Sequence, residues 1–146
     1  MVERSQGLEL DPELVGRAPA DRLVRLCLVG AGAPLTVAYT SFPGLLVRFG
    51  CWHVDAFPHC GCDACDEDVD DLVIELAERV EALVQGGLVE SSSGTRHPTV
   101  TYRFTFVDGG GASGYERSGE PQQRRRRPLE MDWPPWRLRP HRGRRD

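Results

Sequence analysis

The chain contains no lysine, and all 18 of its basic residues are arginines. It also lacks an apolar run of membrane-spanning length, because its most apolar window, residues 23–40, is interrupted by arginine, glycine and proline. Its first residues show no basic stretch followed by an apolar segment, so we expect no secretory signal. These absences predict a protein of the cytoplasm with no membrane partner.

Several function classes are disfavoured in the same way. The 146 residues show no internal repeat, no recognised nucleic-acid fold signature, and no nucleophile–base or paired-carboxylate arrangement. We therefore leave enzyme activity open and favour a non-catalytic role. With 40% hydrophobic residues, the chain is expected to form one modest core. We place this single domain at residues 11–108, after a flexible N-terminus at residues 1–10.

The periodicity of apolar residues predicts an α+β fold. Alternation predicts three strands, at residues 35–40, 45–54 and 99–107. Residues 66–85 carry apolar side chains at three- and four-residue spacing, which predicts one long amphipathic helix. Short N-terminal helices are predicted at residues 12–17 and 22–29, the second from the spacing of its leucines and Cys27. We expect a small antiparallel sheet packed against the long helix.

Charge is distributed unevenly along the chain. Residues 55–90 carry eleven acidic side chains against Arg79 alone, whereas residues 117–146 carry ten arginines against four acids. Residues 109–146 are rich in glycine, proline and arginine, so we predict a mostly disordered tail. We expect Trp133 and Trp136 to anchor this tail to the chain's acidic part or to an acidic partner. Nucleic-acid binding through the arginines is the alternative.

Three of the five cysteines lie within six positions, in the sequence CGCDAC. Zn²⁺ prefers four tetrahedral ligands, and three thiolates with one imidazole or a fourth thiolate form a common structural set. Alternation along the second predicted strand would place Cys51 and His53 on one face, close to these cysteines. The predicted zinc ligands are therefore Cys60, Cys62, Cys65 and His53, with Cys51 or His59 as the alternative fourth ligand.

Two other interpretations of the cysteines stay open. Reduced thiols can simply pack a tight turn, or Cys62 and Cys65 can form a redox pair with Cys60 as the resolving thiol. Nearby acids disfavour free thiolates by about 1–2 kcal/mol each at an effective dielectric constant of about 20–40. The helix dipole stabilises a thiolate by only about 0.3–1 kcal/mol, which does not offset the effect of the acids. A bound dication would instead make the thiolates favourable.

We therefore favour a non-catalytic domain with a structural zinc site that acts through a protein partner of unknown identity. A thiol–disulfide oxidoreductase is one alternative, and a nucleic-acid-associated protein is the other.

A resemblance appears at the same residues. Residues 57–66, FPHCGCDACD, are followed by an acidic amphipathic helix. This combination resembles the signature of a family of uncharacterised actinobacterial proteins of unknown function, and the arginine-only usage fits such a source. The resemblance covers about residues 50–90, and it implies no particular activity or cofactor.

Overall fold

The computed structural model describes residues 2–3, 20–26, 31–40, 44–60, 65–117 and 128–137. Within these ranges the chain forms nine strands and one helix. In chain order they are β1 (Val2–Glu3), β2 (Ala20–Leu26), β3 (Leu35–Thr40), β4 (Gly44–Phe49), β5 (His53–Phe57), α1 (Val69–Val84), β6 (Leu88–Ser92), β7 (Thr99–Thr105), β8 (Gly111–Arg117) and β9 (Leu129–Asp132). No described helix has the length and apolar character needed to cross a bilayer.

The strands form two antiparallel sheets, so the predicted α+β fold is wrong. Sheet A contains β1 to β5 in chain order, and sheet B has the order β8-β7-β6-β9. The described part of the chain is therefore mostly β, with α1 as its single helix. This helix is also shorter than the predicted range 66–85, because the side chain of Asp68 caps its start by accepting the Asp70 N–H at 2.8 Å.

The predicted helix over residues 22–29 is wrong where the structure describes it. Residues Ala20–Leu26 form β2, which pairs with β3 from Leu26 opposite Leu35 to Ala20 opposite Thr40. The spacing of the leucines fits a helix, but a helix this short is only marginally stable by itself. Pairing with the neighbouring strand β3 satisfies the same backbone groups, and this pairing is what forms. The helix predicted at residues 12–17 lies outside the described residues.

The predicted disorder after residue 108 is wrong for two stretches. Strand β8 pairs with β7 along seven residues, and β9 pairs with β6 along four. The glycines of β8 give it a weak intrinsic strand preference, so its structure depends on the ladder formed with β7. Both tryptophans of the following segment pack against the core, and Trp136 Nε1 donates to the carbonyl of Ala33 at 3.0 Å.

The predicted strand at residues 45–54 is divided by a turn into β4 and β5. Gly50 adopts a positive φ of 72°, a left-handed conformation that glycine adopts at little cost and that reverses the chain here. Phe49 consequently lies opposite His53 across the hairpin, while Cys51 is exposed in the turn. The expectation that Cys51 and His53 share one face is therefore wrong.

The main core lies between the facing sheets and the C-terminal half of α1. Its buried members are Ala33, Leu35, Val47, Phe49, Phe57, Ala82, Leu83, Leu88 and Phe104. The rings of Phe49 and Phe104 meet edge to face, with centroids 5.4 Å apart. Val69 and Val73 belong to the apolar stripe that was expected to pack against the sheet, but they are 69% and 60% exposed. Only the later turns of the apolar stripe are therefore buried.

Candidate functional site

Residues 58–68, which we call the cysteine segment, connect β5 to α1, and contacts join the two ends of this segment. The backbone N–H of His59 donates to Glu67 Oε2 at 2.8 Å. The ring nitrogens of His59 lie 3.6 Å from Glu67 Oε1 and 3.5 Å from Glu75 Oε1. The N–H of Glu67 donates in turn to the carbonyl of Cys65 at 2.9 Å. These contacts hold His59, at the start of the segment, against Glu67 near its end.

The structure describes only part of the predicted zinc ligand set. Cys60 is half-buried and Cys65 is exposed, whereas Cys62 lies outside the described residues. Among the residues that are described, no three histidine, cysteine or acidic side chains are gathered closely enough to hold a metal ion. The cysteine site therefore stays a prediction.

Two of the candidate fourth ligands lie far from Cys60. His53 is the first residue of β5 and Cys51 lies two residues before it, whereas Cys60 follows the other end of the strand. A strand rises by roughly 3.3 Å per residue, so the ends of β5 are about 13 Å apart. Ligands of one zinc ion are only about 4 Å from each other. The structure thus does not bring Cys51 or His53 to Cys60, and it leaves His59 beside that cysteine.

His53 instead belongs to a buried polar network on the inner face of β5. It is 2% exposed, and its Nε2 lies 2.6 Å from Asp55 Oδ2, a position from which the ring nitrogen donates to the carboxylate. The ring stacks on Tyr102, with centroids 3.5 Å apart and planes inclined by 25°. The His53 ring is therefore shielded from solvent by the core around it.

Arg79 of α1 extends this network. Its guanidinium forms ion pairs with Asp55 through NH1 and with Glu75 through NH2, although the residue is only 8% exposed. Burial lowers the pKa of the Arg79 guanidinium from its ordinary value, and the charge interaction with Tyr102 opposes that shift. Because Glu75 also faces His59, the network connects β5, α1 and the cysteine segment.

A buried acid joins the two sheets. Glu90 of β6 is 0% exposed, and it accepts hydrogen bonds from three consecutive backbone amides of the β4–β5 turn. Cys51 N–H donates to Oε2 at 2.9 Å, and the N–H groups of Trp52 and His53 donate to Oε1 at 2.9 and 3.0 Å. Trp133 Nε1 completes the set by donating to Oε2 at 3.0 Å.

Comparison with protein families gives the affiliation of the chain. The profile of DUF6226, a family of unknown function, matches residues 1–140. The chain belongs to this family. The match extends well beyond the residues that carry the resemblance noted from the sequence, and it includes all the strands of both sheets. Searches of curated proteins and of solved structures returned no match.

Sequence reasoning missed the polar residues that organise this member of the family. Arg79 was visible as the single base among eleven acids of residues 55–90. It also lies four residues after Glu75, the spacing at which opposite charges pair on a helix. Glu90 is two residues after Leu88 and therefore lies on the same inward face of β6. This two-residue spacing was the signal for a buried carboxylate.

Proposed function

We propose that this domain is a small non-catalytic module in which a structural zinc ion is held by Cys60, Cys62 and Cys65, and that it acts by contact with another protein. His59 supplies the fourth ligand in this proposal. It replaces His53, which is committed to Asp55, and Cys51, which lies at the opposite end of β5.

The observation that carries the proposal is the closure of the cysteine segment by the His59–Glu67 hydrogen bond of 2.8 Å. Cys60 directly follows the donor, and Cys65 lies two residues before the acceptor. The hydrogen bond therefore links the residue before Cys60 to the acidic residue that follows Cys65. In a tetrahedral zinc site the sulfur atoms are about 3.8 Å apart, which a short closed loop can accommodate.

The surrounding charges support a cation at this position. Glu67 and Glu75 approach the His59 ring, and a carboxylate that accepts the free N–H of a ligating imidazole orients the ring and strengthens its binding. Asp66 and Asp68 add exposed negative charge next to Cys65. A dication would neutralise part of this local charge, whereas free thiolates would add to it.

Two further observations support contact with a protein rather than catalysis. The only histidine of the buried network, His53, is enclosed by Tyr102 and Phe104. By contrast, Val69, Val73 and Ile74 are 69%, 60% and 57% exposed on the helix that directly follows the cysteine segment. Exposed apolar residues beside the proposed metal site are suited to an apolar partner surface.

Elemental analysis of the full chain, purified without added metal, tests the zinc site. We expect about one zinc per chain in the native protein, and its loss together with a lower melting temperature in Cys62→Ser. Cys51→Ser is the matched control, because Cys51 is an exposed cysteine outside the closed segment. It should keep both the metal and the stability.

The other outcomes replace the proposal with a defined alternative. Metal-free protein with a Cys62–Cys65 disulfide that is readily reduced and re-formed would favour a thiol–disulfide oxidoreductase. Metal-free protein whose cysteine variants keep their stability would leave only packed thiols. Zinc that survives in His59→Gln but not in His53→Gln would return the fourth position to His53.

A further inference from the structure

The outer face of sheet B presents an exposed tyrosine between two arginines. Leu88, Glu90 and Phe104 of this sheet are buried on its inner face, so the alternate residues turn outward. The exposed outward residues of β7 and β8 include Thr101, Arg103, Tyr115 and Arg117, which we call the Tyr115 face. Tyr115 is 77% exposed, the highest value among the large apolar and aromatic side chains that the structure describes.

The strand register places the arginines around the ring. Tyr115 lies directly opposite Thr101, and Arg103 is two residues further along β7. Diagonal neighbours of this kind are about 7–8 Å apart, within reach of long side chains. Arg117 follows Tyr115 by two residues on the same strand, a separation of about 7 Å on the same face. A single extended ligand can therefore contact the ring and both guanidinium groups.

The charge of this face differs from that of the whole chain, whose net charge is −4. Neither Arg103 nor Arg117 forms an ion pair within the described ranges. The acids of the outer face, Glu130 and Asp132, lie on β9 at the other edge of the sheet. Strand β9 is about 10 Å from β7 and about 14 Å from β8, so the basic and acidic parts are separated.

Polar groups extend the basic part beyond the tyrosine. Ser91 Oγ and Thr101 Oγ1 lie 2.6 Å apart on the same outward face. The loop between β6 and β7 carries the exposed residues Arg96 and His97, and Thr99 at its end pairs with Arg117. Cation, hydroxyl and aromatic groups thus follow one another across β7 and β8.

We propose that the Tyr115 face binds single-stranded nucleic acid. An exposed aromatic ring on a sheet offers a stacking platform for an unpaired base, and flanking arginines neutralise the adjacent phosphates. A duplex conceals the faces of its bases, so it would leave the ring of Tyr115 without a partner. An acidic peptide would use the arginines only. The residues of this proposal do not include the arginine run 124–127, which the sequence alone indicated.

Fluorescence anisotropy with the full chain and labelled oligonucleotides of about 12 nucleotides tests this site. Oligouridine should bind at low salt, and Tyr115→Ala should weaken binding by about 5- to 150-fold. Tyr115→Phe keeps the ring and should keep the affinity. The matched control is Tyr39→Ala, which removes a 42% exposed tyrosine from sheet A that also lies near an arginine, Arg22, 5.4 Å from its ring centroid.

Arg103→Gln and Arg117→Gln test the phosphate contacts. Each should reduce the slope of log affinity against log salt by about 0.7. Equal binding of oligouridine and oligothymidine would identify any single strand as the ligand, and tighter binding of oligouridine would identify RNA, with the Ser91 and Thr101 hydroxyls placed to meet the 2′-hydroxyl. Both results support the proposal.

Four results would overturn it. They are an absence of binding at low salt, native affinity in Tyr115→Ala, tighter binding of duplex DNA or of polyglutamate than of single strands, and loss of binding only when residues 124–127 are replaced by alanine. Circular dichroism of each variant establishes that it is folded. If Tyr115→Ala does not fold, the arginine variants and the Tyr39→Ala control still decide the question.

Discussion

Replacing Glu90 with glutamine tests whether one buried carboxylate joins the two sheets. The substitution keeps the size of the side chain but exchanges one carboxylate oxygen for an NH₂ group. Oε1 now accepts from Trp52 and His53, and Oε2 accepts from Cys51 and Trp133. In either orientation of the amide, its NH₂ group faces two donors that then have no acceptor.

The expected cost follows from these unsatisfied donors. Each buried N–H that loses its acceptor costs about 1–3 kcal/mol, so we expect Glu90→Gln to lower the free energy of unfolding by about 2–6 kcal/mol. A domain of this size is stable by about 5–15 kcal/mol, so the loss is a large part of the total. The control Glu130→Gln makes the same exchange at an exposed position of the same sheet and should change stability by less than about 0.5 kcal/mol.

Urea unfolding followed by tryptophan fluorescence measures the effect. The urea concentration at the midpoint should fall, while the slope of the unfolding free energy against urea concentration should stay unchanged. Hydrogen exchange should also lose protection at the amides of Cys51, Trp52 and His53. Combining Glu90→Gln with Trp133→Phe removes one unsatisfied donor. The double variant should therefore lose about 1 kcal/mol less unfolding free energy than the two single losses added together. A loss below about 1 kcal/mol in Glu90→Gln, with exchange as in the native protein, would refute the reasoning.

Two further substitutions test the packing around the same joint and the buried cation. Gly50→Ala and Gly109→Ala both place alanine at a positive φ, of 72° and 90°, but only the Cβ at position 50 would overlap the carboxylate of Glu90, whereas nothing lies within 4 Å of the other. Thermal unfolding should therefore show a loss at Gly50 that exceeds the loss at Gly109 by at least about 1–3 kcal/mol, and equal losses would contradict the close approach. Arg79→Met should lower the free energy of unfolding by about 3–5 kcal/mol, because it removes the cation that pairs with the carboxylates of Asp55 and Glu75. The exposed control Arg96→Met should stay within about 0.5 kcal/mol in urea unfolding, and a similar small change at Arg79 would show that the network contributes little.

Local pattern predicted the elements whose side chains alternate or repeat over a long stretch. Strands β3 and β7 and the body of α1 were found in this way, because each carries its own periodic signal. Strand β8 has small, polar and glycine residues, and it becomes a strand only beside β7. The N-terminal strand β2 was mistaken for a helix because two of its leucines are three residues apart.

The contacts between distant segments could not be predicted from the sequence, for a different reason. The donors of Glu90 come from the turn 37 to 39 residues before it and from a tryptophan 43 residues after it. No local pattern reports such a pairing. Trp133 and Trp136 were recognised as anchors, but their acceptors are a buried glutamate and the carbonyl of Ala33, which composition cannot indicate.

The hydrogen bond from Trp136 to Ala33 has a consequence for how the chain folds. It joins residues 103 positions apart, and β9 reaches β6 only after almost the whole domain has been synthesised. Contacts of such long range slow folding, because the loop must close before they are gained. During translation, at about 5–20 residues per second, sheet A is synthesised several seconds before β9, which completes sheet B, and before Trp136, which packs against the shared core. Until then the apolar side chains on the inner face of sheet A lack the later residues that cover them in the folded domain.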